Sequence, residues 1–588
     1  MPEVESLVAR HSLSAEIIFR FKISGLIVLR FFRDIFFYKP ERFRYNTRLS
    51  DATVIGRSKT AIWNDDDTAE NWILTAGKVQ NLRVVATKLD GLEIPAGKTF
   101  SFWKHVGRPL KRRGFVVGRE IREGCIVPTV AGGLCQLSNA LYDTALKAGF
   151  QIIERHRHTR VVKGSLAEID RDATVKWNYL DLRFRATKAF RIEVDLTPEN
   201  LVVTFRGDSK ATEPIETTVA HRPSKLNDCY SCGNLDCHRH PNPQVIGKKK
   251  AITTFILDEY WPEHEDYIVN HSTSNDKLVV PFIPGEALSV KRLVWAKLTS
   301  NNQSSVRWIA LYRSVALRLH ARMGKNVFSS TLRLDRKLAL AMEKHIPIES
   351  THVVISQNLL PFAWQSGSLR GRTFDVLMTR LPMQRLHERL DEAYRRHPQS
   401  PTLHDFRASD DLVDSENTAL TKSRFVITPH REIAEIFSNK CVRLDWKLPP
   451  SKKPAALGTK VLFPASGLGR KGAYEIRQLA RELDLTLIVA GSAGEYDNFW
   501  EGCRIERSVR PHFEDVRLVI YPAYVEHQPR MLLKAIASGI PVIASSACGL
   551  MEHKGITIVP AGNYDSLKWA VEKILDQAVR AEHEAATA

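Results

Sequence analysis

Acidic residues are scarce in this chain of 588 residues: 66 Asp and Glu face 85 Lys and Arg, a formal charge of +19. That imbalance points to an anionic partner. No recognisable nucleic-acid module accompanies the basic residues, so no nucleic acid is expected, and phosphate-bearing sugars or lipids fit better. Cysteine is sparse as well, eight residues with three of them clustered, which excludes a disulfide framework in so long a chain. Long apolar runs are missing. The most apolar early stretch, FKISGLIVLRFFRDIFFYKP, is interrupted by Arg30, Arg33 and Asp34, short of the ~20 residues a span requires. The opening MPEVESLVARHS is acidic first and lacks an apolar core region, so no signal peptide is expected and the chain reads as cytoplasmic. Within Ala15 to Tyr38, Arg20, Lys22, Arg30 and Arg33 are mixed with Ile, Leu and Phe. That mixture suits peripheral contact at the inner membrane face. The competing reading is an ordinary amphipathic helix packed on the next domain.

What is present is enough for several cores. Hydrophobic residues make up 43% of the chain, an ordinary value for a globular protein, and the length calls for three or four folding units. The expected division is a basic, aromatic lead-in at 1–70, an α+β domain at 71–215, a Cys/His linker at 216–247, and two α/β domains at 248–448 and 455–580.

The most informative stretch runs from Ala131 to Val162, AGGLCQLSNALYDTALKAGFQIIERHRHTRVV. Leu137, Leu141, Ala145 and Ala148 recur at helical spacing, so Cys135 sits where a helix starts and outside its buried stripe. There the macrodipole and free backbone N–H groups lower a thiol's pKa and can hold an oxyanion. His156 and His158 follow as candidate bases or anion ligands. The plain structural reading is an inert cysteine in a tight Gly-Gly loop with surface histidines. A basic concentration surrounds the loop, from Lys104, Arg108, Arg113 and Arg119 before it to Arg155, Arg157 and Arg160 after it. If those segments converge they make a pocket for a carboxylate, phosphate or diphosphate.

GGLCQLSNALYDTAL, together with IPAGKTFSFWKHVG, RRGFVVGREI, ERHRHT and RDATVKWNYLDLRFR, resembles the VanW family from about Asn71 to about Arg185. The family takes its name from vancomycin-resistance clusters, and exported members are linked to L,D-transpeptidation of peptidoglycan. The resemblance implies Cys135 as a nucleophile, with His158 the better of the two histidines as its base.

Between His221 and Pro241, Cys229, Cys232, Cys237 and His240 are spaced C-x2-C-x4-C-x2-H. Three thiolates and an imidazole suit tetrahedral zinc, with an iron–sulfur cluster as the competing reading. The polar, proline-bearing flanks suggest a structural clip between domains.

From Lys248 onward, short apolar runs such as AITTFIL, THVVISQ, KVLFPA, LTLIVAG and VRLVIYPA alternate with helical patterns. That alternation predicts parallel sheets of the βαβ kind. Pro449 to Pro454 divides them into two Rossmann-like groups, the GT-B architecture. GLGRKGAYEIRQLAREL sets Arg470, Lys471 and Gly472 between strand and helix, where cations and backbone N–H groups can hold a diphosphate. With YPAYVEHQPRMLLKAIASGIPVIAS, this region resembles the donor-binding domain of retaining, metal-independent GT-B glycosyltransferases. The resemblance implies a nucleotide-sugar donor, its diphosphate held by Arg470 and Lys471, and Glu526 on the transferred sugar. The family's second glutamate, on the ribose, is replaced by Lys534, and a lysine carries donors only. A polyprenyl-phosphate sugar, a phosphate contact by Lys534, or a lost activity each accommodate the change.

Two functional classes follow. One is a cell-envelope glycosyltransferase fused to a VanW-like domain, moving a sugar to a lipid- or peptide-linked glycan precursor. The other is a non-catalytic VanW recognition module on a degenerate transferase scaffold.

Overall fold

The computed structural model describes residues 13–63, 69–122, 125–158, 165–208, 217–218, 227–228, 251–298, 302–323, 327–450, 458–491, 494–508, 513–553 and 555–587. The Cys229, Cys232, Cys237 and His240 set lies outside them. Contacts divide the chain into two units, the first chiefly Met1–Ile252 and the second chiefly Thr253–Ile346 with Phe374–Ala588.

The first unit is α+β. Its five-stranded sheet runs in the order Thr217–Thr218, Val54–Ala61, Asn200–Gly207, Phe190–Leu196, Leu92–Ile94 and is antiparallel except at the first pair. Alternation sets one face of the sheet inward: Phe190, Ile192, Val194, Leu201, Val203 and Phe205 are fully buried. Against them pack α2 (Ala69–Leu89), through Leu82, Val85 and Leu89, and α3 (Cys135–Lys147), through Leu137, Leu141 and Ala145. Burying side chains of this size contributes ~1.5–3 kcal/mol each. Phe150, Phe184, Phe190 and Phe205 add stacked and tilted ring pairs with centroids 4.6–6.1 Å apart. Two small antiparallel units, including Val117–Arg122 with Cys125–Val130, frame the loop that leads into α3.

Ahead of this body lies α1 (Leu13–Arg33), continued by a π-turn at Asp34–Tyr38. The expectation that its apolar residues pack beneath the next domain fails. Phe21 is 77% exposed, Phe36 64% and Phe37 81%, with Ile17, Ile18, Val28, Leu29, Phe31 and Phe32 also exposed. Among the described residues, no helix is long and apolar enough to cross a membrane.

The second unit is α/β and holds two parallel sheets. Seven strands run in the order Gln303–Ser305, Lys277–Val280, Ile252–Ile256, Ser350–Ser356, Thr373–Leu377, Val426–Thr428, Cys441–Arg443. Six run in the order Arg504–Ser508, Thr486–Ala490, Lys460–Phe463, Val516–Tyr521, Val542–Ser545, Ile556–Val559, the doubly wound 3-2-1-4-5-6 arrangement. Their strands are near-continuous apolar runs, as sheets covered by helices on both faces require. Val461, Leu462, Phe463, Val516, Leu518, Val519 and Ile520 are all buried. These are the two Rossmann-like domains of the GT-B architecture.

Candidate functional site

In the first unit, Cys135 opens α3 as anticipated. Residue Leu134 stands at the N-cap and offers no side-chain oxygen to the first turn. Among the described residues the N–H groups of Gly133, Leu134 and Cys135 donate to no carbonyl, so they remain available for an oxyanion. The loop's shape demands its glycines. Gly133 has φ +95°, and a Cβ there would fall 2.1 Å from Lys78 Cγ; at Gly132 it would fall 2.4 Å from the Gly118 carbonyl. Asn81 on α2 fastens the loop, donating to the Gly132 and Val116 carbonyls at 3.0 and 3.1 Å. Gln136 ties the helix start to the sheet by donating to Thr60 and Ala61.

His158 and a residue the sequence reading did not single out, Asp172, complete a triad with Cys135. The Nδ1–H of His158 donates to Asp172 Oδ1 at 2.6 Å, and its backbone N–H donates to Oδ2 at 2.5 Å. That leaves the other ring nitrogen free of Asp172, and His158 lines the same cavity as the thiol, whose pKa it lowers. The Sγ also lies 3.4 Å from Thr174 Oγ1. α3 itself positions this wall: Ser138 donates to the Ala173 carbonyl at 2.5 Å, and Asn139 accepts from the Ala173 N–H at 2.7 Å. Arg155 clamps the other side by donating to the Asp172 carbonyl at 2.6 Å while stacking over Tyr142.

The electrostatics follow from this geometry. Burial alone would push the Cys135 thiol up, but hydrogen bonds from His158 and Thr174 and the charge on His158 outweigh it, and the thiol lies below its ordinary value. Burial likewise disfavours a charged His158, yet Asp172 and the cysteine raise it to about 10. The two shifts run in opposite directions, the thiol down and the imidazole up, the direction that favours charge on both groups. It opens into a cavity of about 380 Å³ lined by Lys78, Trp103, Arg119, Gln136, Lys176 and Trp177. His156 is not brought there. Its Nε2 pairs with Glu154 at 3.0 Å, and His158 alone of the two histidines reaches the cysteine.

The second unit carries a cleft of about 670 Å³. Arg470 and Lys471 stand on a short turn, Gly469–Lys471, closed by Gly472 at φ +82°, where a Cβ would meet the Pro522 carbonyl at 2.4 Å. Lys471 Nζ donates to Glu526 Oε2 at 2.8 Å, and Tyr521 donates to the same oxygen at 2.5 Å. The N–H groups of His527 and Gln528 donate to Glu526 Oε1 at 2.9 and 2.7 Å. Burial would raise this carboxyl, but the Lys471 and His527 charges and these hydrogen bonds hold it at about 2. Arg470 stacks over Phe406 at 4.7 Å and forms no ion pair among the described residues. Burial pulls its guanidinium down, and the nearby Asp405, Glu495 and Glu526 only partly offset that. Glu495 holds the turn from behind, accepting from the Gly469 N–H at 2.5 Å and from Ser400, Thr402 and Tyr474. Across the cleft, Glu259 and Asp335 flank Arg313, which donates to Asp335 at 2.6 Å; burial raises both carboxyls, Asp335 to about 6.

Two family models match. Residues 77–206 match "VanW like protein", and residues 473–577 match "Glycosyl transferases group 1". The chain joins a VanW domain to a group 1 glycosyltransferase domain. The vancomycin B-type resistance protein VanW of Enterococcus faecalis (strain ATCC 700802 / V583) is 32% identical over 183 residues, 29% of this chain and 66% of that protein. The "Uncharacterized protein YoaR" of Bacillus subtilis (strain 168) is 35% identical over 105 residues, 18% of this chain and 34% of its own length. The chain thus spans about a third of one relative and just under two thirds of the other. Among solved structures, the lipopolysaccharide outer core galactosyltransferase WaaB in its apo form aligns over 56% of this chain and 91% of its own, at 12% identity and a TM-score of 0.33. Sucrose-phosphate synthase from Thermosynechococcus elongatus aligns over 56% and 90%, at 12% identity and a TM-score of 0.32.

In the glycosyltransferase domain, Arg470, Lys471 and Glu526 converge on one cleft, whereas Lys534 does not. It is exposed, and its ammonium sits 5.6 Å over Phe513. Helices α4 (Pro262–His271) and α5 (Arg530–Ala537), the latter carrying Lys534, meet: Arg530 donates twice to Glu263 at 2.7 Å and stacks over Trp261 and Trp446. Of the strand-end residues Gln357, Asn358 and His430, only Asn358 lines the cleft. Gln357 is buried and accepts from the N–H groups of Thr379 and Arg380. His430 packs under Gly549, its Nε2 3.1 Å from the Ala547 carbonyl.

Proposed function

We propose that this protein is a cell-envelope glycosyltransferase. Its second unit would take a sugar from a nucleotide-sugar donor and move it, with retained configuration, to a lipid- or peptide-linked glycan precursor. The observation that carries the reading is Arg470, half-buried at the cleft with no ion pair among the described residues, beside Lys471 and Glu526. In the step itself the bond from the sugar's C1 to the donor phosphate breaks and a bond to the acceptor oxygen forms. The acceptor proton passes to the leaving phosphate, whose charge Arg470 and Lys471 take up. Glu526, held ionised, would orient the sugar hydroxyls.

The VanW domain would act on the same class of precursor. The Cys135 thiolate attacks an acyl carbonyl, and the oxyanion meets the N–H groups at the start of α3. His158 gives its proton to the leaving amine and recovers one from the amine that later cleaves the thioester. Cys229, Cys232, Cys237 and His240 suit a structural zinc.

The alternative of a degenerate scaffold rests on Lys534. A thermal-shift screen against free nucleotides and nucleotide sugars separates the two. A ligand at roughly a hundredfold excess over its Kd stabilises by ~2.7 kcal/mol. A shift with one nucleotide, abolished by Arg470→Ala, supports the transferase. No shift with any of them would leave the scaffold reading.

A further inference from the structure

A second cavity, of about 830 Å³, lies between the π-turn and the segment that follows Ser101. Seven cations border it; Arg30 and Arg183 are paired with carboxylates, and the other five are Lys39, Arg42, Lys104, Arg108 and Arg113. None of the five forms an ion pair within the cavity wall. Arg42 donates to the Lys104 carbonyl at 3.2 Å and Arg113 to the Arg108 carbonyl at 3.1 Å, both neutral acceptors. The cavity's two carboxylates are already spent, since Asp34 and Asp181 are paired with Arg183 at 2.8 Å. The resulting field is felt behind the wall, where burial together with the charges of Arg113 and Arg42 lowers Lys88 to about 8.

Two neighbours give this basic cavity a direction. On one side it adjoins the π-turn and α1, whose aromatic and aliphatic side chains stand in solvent. That apolar stretch is pinned to the body by charge: Arg30 donates to Glu154 at 2.7 and 2.6 Å, and Asn178 donates to the Ile27 carbonyl at 3.2 Å. On the other side, Trp103 and Trp177 line both this cavity and the one that holds Cys135, their rings 5.5 Å apart edge to face. An apolar surface, a polycationic pocket and a thiolate cavity thus follow one another along one unit.

We propose that this pocket binds the diphosphate of a lipid-linked precursor. The isoprenoid chain leaves along α1 into the bilayer, and the head group extends past Trp103 and Trp177 toward Cys135. The inference rests on the precursor class proposed above and specifies its carrier. A diphosphate matches five cations that form no ion pair among the described residues, in a concave site, better than a single-charge phospholipid head does, and exposed Phe and Ile beside cations suit the bilayer interface.

The test is co-sedimentation of the full chain with three vesicle types: phosphatidylcholine alone, phosphatidylcholine with phosphatidylglycerol, and phosphatidylcholine with undecaprenyl diphosphate at matched surface charge. We expect strongest binding to the diphosphate vesicles. Lys104→Glu with Arg108→Glu should cut that binding by at least the order of tenfold, down to the phosphatidylglycerol level. Phe36→Ser with Phe37→Ser should weaken binding to all three. Equal binding to both anionic vesicles would overturn the headgroup site. Failure to bind any vesicle, with a doubled mass in solution, would show that a second copy covers α1 instead. Cys135 alkylation and the nucleotide-induced thermal shift are measured in parallel and should match the parent in both variants. Those readouts report on the proposed chemistry and are independent of lipid, so loss of lipid binding alone leaves them intact.

Discussion

Replacing Asp172 with asparagine removes one charge and almost no volume, which makes it the cleanest probe of the cysteine site. Asp172 accepts two hydrogen bonds from His158, one from the ring at 2.6 Å and one from the backbone at 2.5 Å. A hydrogen bond to a charged partner contributes ~1.5–3 kcal/mol, and ~1.4 kcal/mol corresponds to a tenfold change in an equilibrium. Asp172→Asn should therefore shift the balance from imidazolium–thiolate toward the neutral pair by roughly 10- to 100-fold. The assay is the rate of iodoacetamide labelling at Cys135, followed by peptide mass spectrometry across pH. In the parent, labelling should stay fast well below the ordinary thiol range, because the thiol is depressed and His158 remains charged up to about 10. In Asp172→Asn the rate at neutral pH should drop by that factor, and its rise should move to higher pH.

The chain supplies its own comparators. Burial raises the thiols of Cys441 and Cys548, the latter to about 12, so both should label slowly at neutral pH. Cys135 labelled no faster than Cys441, or an unchanged profile in Asp172→Asn, would refute the reasoning. Linkage gives a second readout of the same pair. His158 is raised on folding, so its stabilisation is fully present below the unfolded value of ~6.5 and is lost as pH rises through about 10. Asp172→Asn should shrink that pH dependence.

Other outcomes test the remaining sites. Arg470→Ala and Glu526→Gln should each weaken nucleotide-sugar binding by roughly 10- to 100-fold in calorimetry, whereas Lys534→Glu, on the exposed side of α5, should leave it unchanged; a loss in Lys534→Glu would contradict the geometry. Arg530→Ala leaves Glu263, whose side chain is fully buried, without a cation, held by backbone N–H groups such as that of Lys447 at 3.0 Å. It should destabilise the second unit by ~3 kcal/mol, seen as a lower unfolding midpoint by tryptophan fluorescence, and an unmoved midpoint would show the clasp to be idle. Elemental analysis should find one zinc per chain, lost in Cys232→Ser; iron with acid-labile sulfide would establish the cluster instead, and neither metal would dismiss the site.

Much of this was legible in the residues because it is local. The period of Leu137, Leu141 and Ala145 announces a helix whose buried stripe excludes Cys135, and the helix does begin at that residue. Arg470, Lys471 and Gly472 sit in a strand-to-helix turn whose chemistry is carried by adjacent positions, and they occupy such a turn. Apolar runs such as KVLFPA and VRLVIYPA need no partner to be recognised as buried parallel strands. What stayed hidden depends on approach in space. Asp172 follows His158 by fourteen residues, a spacing with no period of its own. It reaches the ring because Ser138 and Asn139, one turn along α3 on the same face as Cys135, grip Ala173. Glu495 and the Arg530–Glu263 clasp are likewise pairings across 26 and 267 residues.

The position of Lys534 shows how a motif's letters can mislead where its scaffold has turned. By the resemblance to retaining GT-B glycosyltransferases, it occupies the place of a ribose ligand, and its ammonium looks like a defect in the proposed donor site. In the structure the first turn of α5 is committed elsewhere: Arg530 faces Glu263 between two tryptophans, which fixes the helix's rotation and leaves Lys534 on the outside, over Phe513. The same departure therefore removes a contact without placing a repelling charge in the cleft. The proposed sugar-phosphate end, Arg470, Lys471 and Glu526, is untouched by it, because Glu495 holds the turn at Gly469, the Val525 carbonyl holds Lys471 and the Tyr521 hydroxyl holds Glu526. A donor bound chiefly through its diphosphate and sugar loses little to such a change, whereas one that depends on its ribose would lose the energy of a hydrogen-bonded carboxylate, ~1.5–3 kcal/mol. Restoring the carboxylate by Lys534→Glu, on a helix still locked by Arg530, should not recover that contact. The unchanged affinity expected for that variant is thus a statement about helix rotation more than about charge.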